Sequence, residues 1–219
     1  MGKRFDTFDL PLMEELWSVA EGIPSDLLKN RTSPASNLGI YFADSIEEFR
    51  EPDDWCIPEN AVTFATTGGD GHFSFLVQNR RIDSSSPVIV TAGANGDDAN
   101  WILAESFEDF LRIGFSRSFF ALEQFVFAPA TALKAYADPH WQPGQRERSC
   151  GYIVSEERRR VMDFVFEQLD LTPLAHTVEE FNALQARYIP LLEMLEEYWD
   201  VTCVYPDDPR ELCVPSVVT

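Results

Sequence analysis

Apolar and polar residues alternate most cleanly in two neighbouring runs. In residues 61–67, Val62, Phe64 and Thr66 interleave with Ala61, Thr63 and Ala65; in residues 72–78, Phe73, Phe75 and Val77 interleave with His72, Ser74 and Leu76. A period of two sends successive side chains to opposite faces of a strand. Between the runs lies Thr67-Gly68-Gly69-Asp70-Gly71, where glycine tolerates positive φ at several positions. The pattern predicts an antiparallel hairpin, with Gly68, Gly69, Asp70 and Gly71 as its turn. Residues 87–91 and 101–104 predict two further strands and residues 38–43 another, with polar loops over 29–37 and 80–86 and a Gly-, Asn- and Asp-rich turn over 94–100.

Helical spacing appears on either side of this block. Leu12, Leu16 and Val19, beside Met13, Trp17 and Ala20, form one stripe behind Asp9 as a candidate cap, with Pro11 in the first turn and Gly22 as the stop. Ser45 with Glu48, Ser106 with Glu108 and Asp109 behind it, and Thr177 with Glu180 supply capping patterns for three more helices. The second of these carries Phe107, Phe110 and Leu111 on one face before Gly114, and so predicts a helix covering the sheet. Residues 115–137, rich in phenylalanine, predict a helix broken at Pro129 and packed into the core. Residues 138–149 read as a linker. Beyond them, Val161, Val165 and Leu169, then Phe181 and Leu184, then a segment opened or kinked by Pro190 and running through Leu192, Leu195 and Trp199, predict a helical extension, with a strand-like piece at 201–205. The expected fold is α+β: a twisted, largely antiparallel central sheet flanked by helices over residues 1–138, with 139–219 as linker and helical extension packed on or beside it.

Composition narrows the function. At 219 residues the chain can bury roughly 70% of its unfolded surface without a disulfide or metal. No apolar run approaches the ~20 residues of a membrane span, and Asp6, Asp9 and Glu14 interrupt any signal-peptide core, so the expectation is a soluble, cytoplasmic protein. Cys56, Cys150, Cys203 and Cys213 include no Cys-x-x-Cys pair and read as reduced thiols. The net charge is −20, from 37 acidic and 17 basic residues, and it is spread along the chain. Such a surface repels nucleic-acid phosphates and anionic lipid and attracts cationic surfaces. The expected partner is a protein, with no nucleic acid and no membrane.

No catalytic constellation emerges. The glycine-rich turn lacks the Lys-Ser/Thr of a phosphate loop and precedes a strand rather than a helix. Asp70 and His72 lie two apart, without a third metal ligand near them. Asp53 and Asp54, and Asp97 and Asp98, lack the spacing of a calcium loop. They read as solvated turn residues and serve as the candidate partner-contacting residues. A Gly-x-Ser-x-Gly nucleophile turn is absent. The expectation is a protein without catalytic residues, metal or cofactor.

The order Ile57-Pro58, then Val62 to Phe73 through Gly68-Gly69-Asp70-Gly71, then Pro87-Val88-Ile89-Val90, then Leu103-Ala104-Glu105-Ser106-Phe107-Glu108-Asp109-Phe110-Leu111 resembles the SMI1/KNR4 (SUKH) superfamily. That resemblance implies a twisted sheet flanked by helices and a non-enzymatic binding role. Many bacterial members of the superfamily look like immunity proteins that neutralise toxin domains, often nucleases, and fungal members are linked to cell-wall signalling. The implied partner is a cationic toxin domain. A scaffold or signalling adaptor for some other protein is the alternative, and a hydrolase or metal enzyme a third.

Overall fold

The computed structural model describes residues 5–27, 38, 40–50, 56–67, 71–92, 100–127, 132–133, 156–174 and 176–194. The two alternating runs form β3 (Ala61–Thr66) and β4 (Gly71–Leu76), paired antiparallel. Val88–Ala92 forms β6 and Asn100–Ala104 forms β7, each antiparallel to the strand before it in the sheet, and β2 (Tyr41–Phe42) pairs antiparallel with β3. The resulting five-stranded sheet has the order β2-β3-β4-β6-β7.

The alternation in β3 is not perfect. Register slips between Thr63 and Ala65, a β-bulge that puts one extra residue opposite β4. The slip brings Ala65 opposite Phe73, so Ala65 joins Val62 and Phe64 in the core that holds Phe73 and Phe75, and Phe64 stacks on Phe75 at a centroid distance of 4.3 Å.

Helix α2 (Phe107–Arg117) lies over that face. Ser106 caps it by accepting from the Asp109 N–H at 3.1 Å. Phe107 and Phe110 meet Phe64 edge-on, both at 5.5 Å between centroids. Gly114 does not stop the helix, contrary to the sequence expectation. It lies inside α2 against the Phe119 ring, where a Cβ would overlap that ring, and its role is close approach. The chain turns instead at Ser118, whose φ of 89° separates α2 from α3 (Phe119–Phe127). Phe119, Leu122 and Phe125 of α3 are buried, while Phe127 is exposed.

At the N-terminus, Asp9 does not cap a helix. It ends a short strand, β1 (Thr7–Asp9), and α1 (Pro11–Glu21) starts after Leu10 without a side-chain cap. Gly22 terminates α1 with helical rather than left-handed dihedrals. β1 pairs in parallel with β5 (Arg81–Asp83), so the expected polar loop over 80–86 contains a strand whose Ile82 is fully buried. The turn into β5 holds Asn79 and Arg80 at φ of 51° and 56°, unusual for residues other than glycine. Arg80 is held there by Asp6, which accepts from Nε at 2.6 Å and Nη2 at 2.8 Å while its own N–H donates to the Arg80 carbonyl at 2.7 Å.

The opposite face of the sheet is covered by a second apolar cluster. Ala61, Leu76, Ile89 and Ile102 meet Cys56, Ile57 and Leu184, Tyr188 and Leu192. Leu184 and Tyr188 belong to α5 (Val178–Tyr188), and Leu192 follows the 3₁₀ turn Ile189–Leu191 at its end. Thr177 and Glu180 form a complete capping box for α5. The helix expected after Pro190 is this short turn followed by extended chain through Met194. α4 (Glu156–Gln168) packs Val161, Met162 and Val165 into the main core, joined by Leu169 just beyond it.

α5 also closes the sheet edge. The buried Gln185 side chain accepts from the Ile102 N–H at 3.0 Å and donates to the Ile102 carbonyl at 2.7 Å, as a neighbouring strand would. The other edge ends in the two-residue β2, too short to template pairing.

Candidate functional site

Ser45 and Glu48 promise a capped helix, but the chain makes only a 3₁₀ turn over Ile46–Glu48, and Ser45 caps nothing. The Glu48 carboxylate reaches back to accept from the Asp44 N–H at 2.9 Å, one residue earlier than a capping box on Ser45 requires. This turn is the crown of an arch over residues 43–50. Both feet stand on β3. Ala43 donates to the Phe64 carbonyl at 2.8 Å, and Arg50 and Thr63 exchange backbone hydrogen bonds of 2.9 and 2.8 Å. Trp17 of α1 donates Nε1–H to the Ala43 carbonyl at 2.6 Å, and Phe49 packs its ring against Phe8, Trp17 and Phe75. The arch is thus fixed at both ends and held from beneath by aromatic packing.

Between the arch and β3 lies a cavity of about 460 Å³. Its walls are Tyr41 to Asp44, Glu48 and Arg50, and its floor is Thr63 to Thr66. Tyr41 is 54% exposed. Asp44, Glu48 and Arg50 are also exposed. The Thr63 hydroxyl in the floor is buried and hydrogen bonded to that of Ser74 at 2.9 Å. Six acidic residues and one arginine fall between Tyr41 and Asp54, so this stretch is denser in negative charge than the chain as a whole.

The predicted site residues are only partly visible. Gly68, Gly69 and Asp70 lie outside the described residues, as do Asp53, Asp54, Asp97 and Asp98. Gly71 opens β4, where a Cβ would overlap the carboxylate of Glu123 from α3. Glu123 is buried and accepts from Thr67 Oγ1 at 2.5 Å, so α3 is bonded to one end of the glycine-rich turn and packs closely against the other. Among the described residues no three His, Cys, Asp or Glu side chains come together as metal ligands, and no helix is long and apolar enough to cross a membrane.

Electrostatic perturbations belong to structural contacts. Hydrogen bonding to Arg80 holds the Asp6 carboxyl below its ordinary range, hydrogen bonds from Ser85 lower Asp83, and hydrogen bonds from Thr177 lower Glu180. Burial raises the Tyr188 phenol, with Glu105 adding to the shift.

Tyr41, Arg50, Thr63, Glu123 and Gln185 were not singled out by sequence reasoning. An exposed aromatic at the end of an apolar segment was the only local signal, and it marks Tyr41 alone.

A meander of antiparallel strands, covered by a Ser-capped helix on one face and closed at its far edge by a C-terminal helix, defines the class: an α+β domain with helices flanking a central antiparallel sheet. The family model described as SUKH_6, SMI1-KNR4 cell-wall, matches residues 25–111, the span from before β2 into α2, and supports a relationship of that part of the chain to the SMI1/KNR4 superfamily. Comparison with curated proteins and with solved structures finds no match.

Proposed function

We propose that the chain is a non-enzymatic, immunity-type protein of the cytoplasm that neutralises a cationic toxin domain by binding it. The observation that carries this reading is the net charge of −20 on an SMI1/KNR4 domain. A nuclease must be cationic to hold its substrate, and an acidic inhibitor gains both encounter rate and discrimination from the opposite charge. The acidic arch, with Asp53 and Asp54 next to it in sequence, and the pair Asp97 and Asp98 are the contact residues this reading favours.

The test is binding of the purified chain to toxin domains encoded beside its gene, measured against ionic strength. A complex whose affinity falls as salt rises, and which abolishes toxin activity, is expected. Failure to bind any such neighbour at low salt overturns the reading. Stable binding to a non-toxin protein would favour an adaptor role instead.

A further inference from the structure

We propose that residues 184–194 form a latch that swings off the sheet as a unit, and that the edge beneath it, β7, then pairs with β7 of a second copy of the chain.

Amide side chains fasten the latch at both ends by gripping backbone. Gln185 accepts from the Ile102 N–H and donates to the Ile102 carbonyl. Asn60, one residue before β3, donates to the Leu191 carbonyl at 2.8 Å and accepts from the Glu193 N–H at 2.9 Å, while the Glu59 N–H donates to the Glu193 carbonyl at 2.6 Å. Between these clamps stands an exposed ion pair, Arg187 with Glu105 at 2.7 Å. The apolar part of the contact, Leu184, Tyr188 and Leu192, belongs to the smaller cluster, apart from the main core. Phe181 does not: it stacks on Trp101 and Phe125 of the main core and marks the pivot. An element tied down by a satellite cluster and a few polar contacts opens at lower free energy than the core it covers.

Ile102 determines what the bared edge can hold. Its N–H and C=O both point outward to Gln185, and it is the third of the five residues of β7, all of them buried. Such a strand pairs readily once uncovered. Antiparallel pairing of two β7 strands about a two-fold axis at Ile102 sets Ile102 opposite Ile102, where the two residues exchange the very bonds that Gln185 supplied. The same register sets Trp101 opposite Leu103. Both face the main core, so the two sheets join with their apolar faces aligned.

The test has two arms. In the parent chain, native-state hydrogen exchange in low urea should show the Ile102 amide opening together with those of residues 184–188, about 10-fold or more as often as the amides of β4. Opening of these amides only with global unfolding overturns the latch. In Asn60→Ala/Arg187→Gln, which loosens the latch without touching β7, sedimentation equilibrium should give self-association roughly 10-fold tighter than the parent's. It should tighten further as salt rises from about 0.05 to 0.5 M, because screening weakens repulsion between two chains of charge −20. Capture of a cationic toxin should weaken over the same range, so the pairing and the immunity reading part on the sign of the salt effect. A variant that stays monomeric at every salt concentration overturns the pairing. So does a dimer in which residues 184–188 remain protected, the signature of latch exchange between copies. Gln185→Ala, read in the same way, replaces the double variant if that one does not fold.

Discussion

Replacing Gln185 with leucine keeps much of the side chain's bulk and removes both of its polar ends. In the folded protein those ends accept from the Ile102 N–H at 3.0 Å and donate to the Ile102 carbonyl at 2.7 Å, in a site only 2% exposed. The variant leaves two buried backbone groups of β7 without these partners. Each such group costs about 1–3 kcal/mol, so a loss of roughly 2–6 kcal/mol is expected for the two. For a chain of this length, 1 kcal/mol corresponds to about 2–4 °C in melting temperature, which places the drop between roughly 4 and 24 °C. Urea unfolding with circular dichroism measures the free energy, and light scattering after size exclusion reports whether the bared β7 edge now pairs between chains. Gln185→Glu sharpens the test. A carboxylate still accepts from the Ile102 N–H but opposes the Ile102 carbonyl, so burial and that carbonyl favour the protonated form and raise its folded-state pKa. The stability held by the protonated side chain is present below the unfolded pKa and lost as pH rises through the folded one, so this variant should regain stability in mild acid relative to the parent. Leucine at 185 within about 0.5 kcal/mol of the parent would show that β7 does not depend on this contact.

Gly114→Ala should destabilise by about 1–3 kcal/mol because its methyl overlaps the Phe119 ring, and Phe119→Leu in the same chain should recover part of the loss in a thermal melt. Gly71→Ala drives a methyl into the buried Glu123 carboxylate, and a loss of about 1–3 kcal/mol is expected by urea titration, smaller when Glu123 is also changed to alanine. Asp6, Asp83 and Glu180 have folded-state pKa values lowered by their hydrogen bonds, so their contributions are present above the unfolded values and vanish as pH falls through the folded ones. Melting temperature should therefore decline on the acid side, and Asp6→Asn combined with Glu180→Gln should flatten that decline. Tyr188 runs the other way: its raised pKa means that stability present below the unfolded phenol value is lost as pH climbs, and Tyr188→Phe should reduce the alkaline loss.

The elements that announced themselves in sequence are those whose neighbours are also local. β3 and β4 alternate because both faces of each strand meet different surroundings within one hairpin, and the capping box at Thr177 is a four-residue device that forms within its own first turn, as the same pattern at Ser45 and Glu48 does not. What escaped depended on distant chain. Asp9 lost its capping role because β1 finds β5, and residues 80–86 looked like a loop because only Ile82 in them is apolar. Gly114 resembled a helix stop, since nothing near it reveals that Phe119 will fold back onto it. The bulge at Phe64 left no trace in a pattern that alternates normally on paper. At the site, acidity was legible but shape was not. The arch needs Trp17 beneath it and Thr63 beside it, and the acidic pairs chosen from local turn composition lie outside the described residues.

The pairing of β1 with β5 also imposes an order of events. Strands β3, β4, β6 and β7 join partners close in sequence and close small loops, whereas the Asp6–Arg80 clasp spans 74 residues. Loop-closure entropy delays a contact of that span until the intervening sheet has collapsed and shortened the effective loop. Strand β1 is therefore expected to be a late arrival, seated only once the Asn79-Arg80 turn exists to receive it. Its amides belong to the separate two-stranded β1-β5 pair, and native-state hydrogen exchange should see them open before the central hairpin of the five-stranded sheet does.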